Sequence, residues 1–314
     1  MSRGRQQLNI ARSLIIVLLT LALALFLFIL FGTYLEGQLQ AQGQARVVFD
    51  MDDPEGDDHG PGSYVYPLHK VFQHDGLFDL IHFSVSYNSE YVYFDSTFKE
   101  ITNPWNAPEG FSHQLINIYI DSVSGEGRTQ TLKPGAQVAF DKRYAWDFQV
   151  KVLGWGGSRV FTARDTAESK GVSEGVRAEV LPQSKTIRVA VPRAILGEPT
   201  SRWRYYVLIG SQDAFGIDDY RPVMEKPGSW VFGGGSDLDF DPNVIDMLAL
   251  ARGRYSQEAM LSSYNLARGT LATIHPVSES GIGGGMETVG AVVALVAAVA
   301  LAAFMWWWRH RRAA

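Results

Sequence analysis

Apolar side chains recur at every second position in stretch after stretch of this chain, and that period decides the fold class. Ile81, Phe83, Val85 and Tyr87 point one way while His82, Ser84 and Ser86 point the other, which describes a half-buried strand. Asn88-Ser89 reads as a turn, and the run from Tyr91 to Phe94 as the second strand of a hairpin. From Leu115 to Asp121 the pattern returns, with Ile116, Ile118 and Ile120 on one face. Further strands are expected at 46–51, 146–152, 159–162, 176–181, 186–191 and 204–211. Short strands at this spacing, punctuated by Gly, Pro, Asn and Asp and lacking a βαβ rhythm, predict a mainly β chain: an antiparallel β-sandwich of two packed sheets. One helical turn is expected over 192–196, a short helical region over 243–271, and surface loops over 125–135 and 162–175.

The two ends read differently. Residues 14–32 are apolar apart from Thr20, about the ~20 residues that a helix needs to cross a bilayer. A cleaved signal peptide is the rival reading, with Gly43-Gln44-Ala45 as its processing site, but the apolar run is longer than such signals require. Residues 289–308 form a second run, rich in Ala and Val and closed by Trp306-Trp307-Trp308 and then Arg309, Arg311 and Arg312. Arginines flank the outer end of both runs, so both termini are expected in the cytoplasm and the middle outside a cell membrane. The expected organisation is a basic tail (1–13), a transmembrane signal anchor (14–34), a linker (35–45), the sandwich (46–272), a Gly-rich linker (273–288), a transmembrane helix (289–308) and a basic tail (309–314).

Composition narrows the function. Cysteine is absent, which excludes disulfides, thiolate metal sites and a Cys nucleophile. The formal charge of -5 conceals six arginines in the tails; without them 22 Lys and Arg face 33 Asp and Glu. Such a surface disfavours nucleic acid and anionic lipid and suits cations and neutral ligands.

The most distinctive segment runs from Asp50 through Asp-Pro-Glu-Gly-Asp-Asp-His-Gly-Pro-Gly at 53–62 to Tyr64-Val65-Tyr66-Pro67. Asp53, Asp57 and Asp58 fall within six residues, and Gly56, Gly60 and Gly62 let the backbone curl, so the turn can offer several oxygens to calcium. An EF-hand is excluded by spacing, and a solvated acidic turn remains the plain alternative. This segment, with Phe78-Asp79-Leu80, Ile101-Thr102-Asn103-Pro104-Trp105, Gly110-Phe111-Ser112, Val191-Pro192-Arg193, 210–216 and 243–246, resembles the C-terminal binding module of glucodextranase. That module is similar to surface-layer-homology modules and shares the β-sandwich of DOMON and family 9 carbohydrate-binding domains. The resemblance implies that Asp53, Asp57 and Asp58 are ligands of a structural calcium, with Asp213 a distant contributor. It also implies carbohydrate as the ligand, although the catalytic domain that accompanies such modules is missing.

Sugar sites pair aromatic faces with polar rims. Trp105, Trp155, Trp203, Trp230 and Tyr66 are the stacking candidates, whereas Trp146, in a strand pattern, is expected in the core. His59, His69, His74, His82 and His113, with Met224, raise haem binding of the DOMON type, without a spacing to support it. No nucleophile, helix-borne metal or phosphate-loop motif is present, so an enzyme, such as a calcium-dependent glycoside hydrolase, is the weakest expectation. The leading expectation is a membrane-anchored module that binds an α-glucan or cell-envelope polymer. The alternative is a structural protein docking onto a membrane or envelope complex.

Overall fold

The computed structural model describes residues 45–236 and 238–279, and all structural statements below refer to these. Both expected membrane segments, both tails and most of the linkers lie outside them. Among the described residues no helix is long and apolar enough to cross a membrane.

Twelve strands form three sheets. They are β1 (Arg46–Asp52), β2 (Leu80–Tyr87), β3 (Tyr91–Phe98), β4 (Gln114–Asp121), β5 (Val138–Phe140), β6 (Phe148–Leu153), β7 (Arg159–Thr162), β8 (Arg177–Val180), β9 (Thr186–Pro192), β10 (Arg204–Ser211), β11 (Asp246–Met247) and β12 (Ala272–Ile274). One five-stranded sheet has the order β1-β2-β3-β9-β8 and the other β11-β10-β4-β6-β7. The registered pairs in both are antiparallel. A two-stranded parallel pair, β5 with β12, stands apart.

The alternation read from sequence explains the main core. Phe83 and Val85 of β2, Phe94 of β3 and Val189 of β9 meet Ile116, Ile118 and Ile120 of β4 and Val207 of β10 in one buried cluster. Fully burying each such side chain contributes about 1.5–3 kcal/mol. The outer face of the β3 sheet stays partly open, so β3 alternates buried and half-buried positions along its whole length. β4 does not alternate: all eight residues are buried. Its other face carries Leu115 and Tyr119 into a second core with Phe140, Trp146, Tyr206, Met260 and Ile274. Trp146 is fully buried there, as its strand pattern predicts.

Asn88 closes the β2–β3 hairpin by accepting the N–H groups of Glu90 and Tyr91 through its Oδ1, at 2.9 and 2.8 Å. The expected turn after Pro192 is helix α1 (Arg193–Leu196). The helical expectation for 243–271 is corrected. That stretch opens with strand β11, and its only α-helix is α2 (Gln257–Leu261), which packs on the second core. Apolar residues there serve a sheet edge and a covering layer, and no helical period is needed for either.

Candidate functional site

Two clusters of chemistry stand on this frame. The first lies where the edges of the two large sheets meet. Asp53 directly follows β1 and continues its pairing by donating its N–H to the Ile81 carbonyl at 3.1 Å. Asp246 sits on β11, opposite Ile209 of β10. The turn between residues 53 and 62 brings in Asp57. One carboxylate oxygen from each of Asp53, Asp57 and Asp246 lies within 4.8 Å of the others. Asp79, just ahead of β2, borders the group, and its Oδ2 accepts the Gly56 N–H at 2.8 Å.

Hydrogen bonds between the two sheets hold these groups in place. Asp246 Oδ2 accepts the Leu80 N–H at 2.6 Å, and Asp53 Oδ1 accepts the Ala249 N–H at 2.8 Å. Asp53 is 7% exposed, and Asp79 and Asp246 are fully buried. Asp53 Oδ2, Asp57 Oδ1 and Asp79 Oδ1 are buried without a hydrogen-bond partner. Burial, reinforced by the neighbouring carboxylates, pushes Asp57 up to about 7 and holds Asp53 and Asp246 well above the usual carboxylate range. Burial is also what pushes Asp79 up to about 6. Lys99, whose charge acts against that rise, is itself paired with Glu55 at 3.3 Å and Asp75 at 2.9 Å. Buried carboxylates in this number, with unfilled oxygens and no counter-charge among them, fit a hard divalent cation. An all-oxygen donor set suits calcium or magnesium rather than zinc.

Of the carboxylates expected from the sequence, the structure brings Asp53 and Asp57 together, and it adds Asp246 and the bordering Asp79, which the sequence reading did not include. A signal was present: each interrupts an otherwise apolar run, Phe78-Asp79-Leu80 and Val244-Ile245-Asp246-Met247. Asp58 and Asp213 go elsewhere. Asp58 accepts the Tyr66 hydroxyl, which in turn accepts the Phe78 N–H at 3.1 Å. Asp213 pairs with the guanidinium of Arg221 at 3.0 Å, so its charge is already matched.

The second cluster is aromatic. Trp105 projects from a loop held by Asn103, whose side chain accepts the Ala107 N–H at 2.7 Å and donates to its carbonyl at 2.9 Å. Trp230 sits in a turn closed by the Gly228 N–H and the Val231 carbonyl, and its own carbonyl accepts from Arg221 at 2.6 Å. The two indole rings lie 6.3 Å apart at 38°. Phe72, fully buried, sets its edge against both at 6.2 and 5.9 Å. His69 stacks on Trp230 at 4.3 Å and 22°. His113, 1% exposed, packs on Trp105 at 4.8 Å, and burial pushes its imidazole down to about 3, with Arg221 adding to the effect. Trp230 stays 44% exposed and Trp105 half-buried, so rings on a rigid base meet solvent.

The other stacking candidates separate. Trp155 is exposed on the turn after β6. Trp203 is a correction: at 5% exposure it belongs to the main core and offers no ring face. Tyr66 lies edge-on to Phe78 and Phe232 and commits its hydroxyl to Asp58, which makes it a strut of the acidic turn. Of the histidines read for haem, His82 faces Asp50 at 3.3 Å, and His69 and His113 serve the aromatic cluster.

Residues 48–276 match the family described as the C-terminal binding module, SLH-like, of glucodextranase. The chain belongs to this family. The match spans both sheets, the acidic turn and the aromatic cluster, and it ends just after β12. Among curated proteins none matches the chain.

Proposed function

We propose that this protein is a non-catalytic carbohydrate-binding module whose glycan site is the Trp105–Trp230 platform and whose sheet edges are joined by calcium. The observation that carries the glycan reading is the solvent-facing indole pair of Trp105 and Trp230, backed by buried Phe72 and His113 and by half-buried His69, in a chain of this family. Flat rings held rigidly take the apolar faces of sugar rings at little entropic cost, and neighbouring polar groups take the hydroxyls. The calcium reading rests on the orphaned oxygens of Asp53, Asp57 and Asp79 beside Asp246. Asp53, Asp57 and Asp246 would hold the ion, and its charge would offset the repulsion among them.

The terminal apolar runs support a cell-membrane anchor at each end, with the module outside, where it would meet an α-glucan or a cell-envelope polymer. Calorimetric titration of the full chain with dextran, pullulan and a wall polymer tests the glycan reading. Binding to at least one polymer, weakened about tenfold or more by either Trp105→Ala or Trp230→Ala, is expected. Failure to bind any of them, or binding indifferent to both substitutions, would overturn it.

A further inference from the structure

Beside the platform the surface falls into a cavity of about 350 Å³ whose lining includes Phe215, Ile217, Trp230, Leu238, Gln137 and Asp239. Phe215 is 100% exposed, Ile217 57% and Leu238 53%, an unusual concentration of large apolar side chains left in water. The loop that presents Phe215 and Ile217 is held by hydrogen bonds and ion pairs. Asp213 Oδ1 accepts the Phe215 N–H at 3.0 Å while its Oδ2 is paired with Arg221. Asp218 and Asp219 follow with positive φ values of 48° and 64°, conformations that L side chains rarely adopt. Both are fixed by the buried Lys151, which donates to the Asp218 carbonyl at 3.0 Å and to the two carboxylates at 2.7 Å each. Backbone strain stabilised by a buried ion pair, in a loop that holds an aromatic ring fully in solvent, marks a surface built for a ligand.

We infer that this cavity is a second glycan subsite, continuous with the platform through the shared Trp230 ring, and that the ligand is a chain of several neutral sugar units. The inference rests on the carbohydrate reading above and adds the ligand's length and direction. Apolar faces from Phe215, Ile217 and Leu238, together with the polar Gln137 and Asp239, match the alternation of face and rim that a pyranose presents. An anionic lipid would meet Asp239 and the Asp218–Asp219 pair, whose two carboxylates share the single charge of Lys151. The volume lies at the lower end of the range for small-ligand sites, and it lies beside a platform that already offers two ring faces.

The test uses the full chain and linear α-1,6-linked gluco-oligosaccharides from the disaccharide to the heptasaccharide, with affinity measured at each length. The dissociation constant is expected to fall by about tenfold along the series as the second subsite fills, the worth of one good aromatic contact. Phe215→Ala should flatten that dependence to less than about threefold, and Trp105→Ala should weaken every length. Because Phe215 is wholly exposed, its removal leaves the packed core untouched. A series as steep in Phe215→Ala as in the unaltered chain, or flat in both, would overturn the second subsite while leaving the platform standing. Absence of binding at every length would overturn the subsite, and the carbohydrate reading falls with it if dextran, pullulan and the wall polymer also fail to bind.

Discussion

Asp53→Asn separates a cation site from an ordinary acidic turn, because its two effects have opposite signs. Asp53 Oδ1 accepts the Ala249 N–H while Oδ2 is buried without a partner. Asparagine keeps the first bond and turns an amide toward Asp57 Oδ1, which is also unpartnered. Carboxylate oxygens within 4.8 Å of one another repel by about 3 kcal/mol or more at an effective dielectric constant of about 20. Asp53 contributes such a term with each of Asp57 and Asp246. The raised proton affinities of these groups already relieve part of it in the metal-free protein, leaving roughly 1–3 kcal/mol for the substitution to recover. For a domain of this size each kcal/mol moves Tm by about 2–4 °C, so the variant without calcium should melt several degrees higher than the unaltered chain.

With calcium the variant's advantage shrinks or is lost. At a concentration of about 100 times Kd a bound ion stabilises by about 2.7 kcal/mol, a rise of roughly 5–11 °C in the unaltered chain. The variant lacks a charged ligand and should gain less than about 1 kcal/mol at the same concentration. Differential scanning calorimetry with chelator and with millimolar calcium reads all four values. A variant that melts lower than the unaltered chain in chelator yet keeps the full calcium increment would refute the reasoning. So would an unaltered chain indifferent to calcium.

Three further outcomes follow from individual contacts. Lys151→Met strands the carboxylates of Asp218 and Asp219, of which Asp218 is nearly buried, and should cost about 3–5 kcal/mol in a denaturant titration. Gly234 has φ +90° and a Cβ there would sit 2.0 Å from the Ser63 carbonyl oxygen; Gly234→Ala should therefore cost about 2 kcal/mol or more by thermal melting. His113 is neutral in the folded protein down to about pH 3, whereas the unfolded imidazole takes its proton near 6.5, so the stability it confers is full above about pH 6.5 and is lost as pH falls toward 3. Between pH 7 and 5 the loss is roughly 2 kcal/mol, and His113→Phe, which keeps a ring against Phe72 and Trp105, should remove that share of the acid sensitivity in parallel melts.

What the sequence reveals depends on how local the cause is. The strand 204–211 matches β10 residue for residue, as a short apolar run buried on both faces: Tyr205, Val207 and Ile209 enter the main core, Tyr206 and Leu208 the second. β5 and β12 escape notice because three-residue strands pairing in parallel across the chain leave no periodic trace. The acidic turn is visible as a cluster, but its completion depends on Asp246, 189 positions beyond Asp57 and carried into place by the pairing of β11 with β10. Asp213 looks like a free carboxylate in sequence, and only the fold supplies its Arg221. Trp105 and Trp230 each resemble any other loop tryptophan until Phe72 and His69 bring them to one surface.

A single stretch of chain joins the two clusters. From the carboxylates of Asp53 and Asp57 it passes Gly60, whose N–H is bound by the Ile245 carbonyl, and Val65, bridged to Gly233. It then reaches Leu68 and His69, whose N–H groups donate to Gly228 and Ser229, and there the His69 ring meets Trp230. Each anchor ties the stretch to the sheet edge or to the turn that carries Trp230. A cation at the first end would restrain the segment that positions the platform at the other, and by linkage a glycan on the platform would raise cation affinity by the same factor. Calcium titrations with and without saturating dextran should therefore differ by the same ratio as dextran titrations with and without calcium. Unequal ratios would mean that one of the two titrations reports something other than binding to these sites, since equilibrium linkage permits no asymmetry.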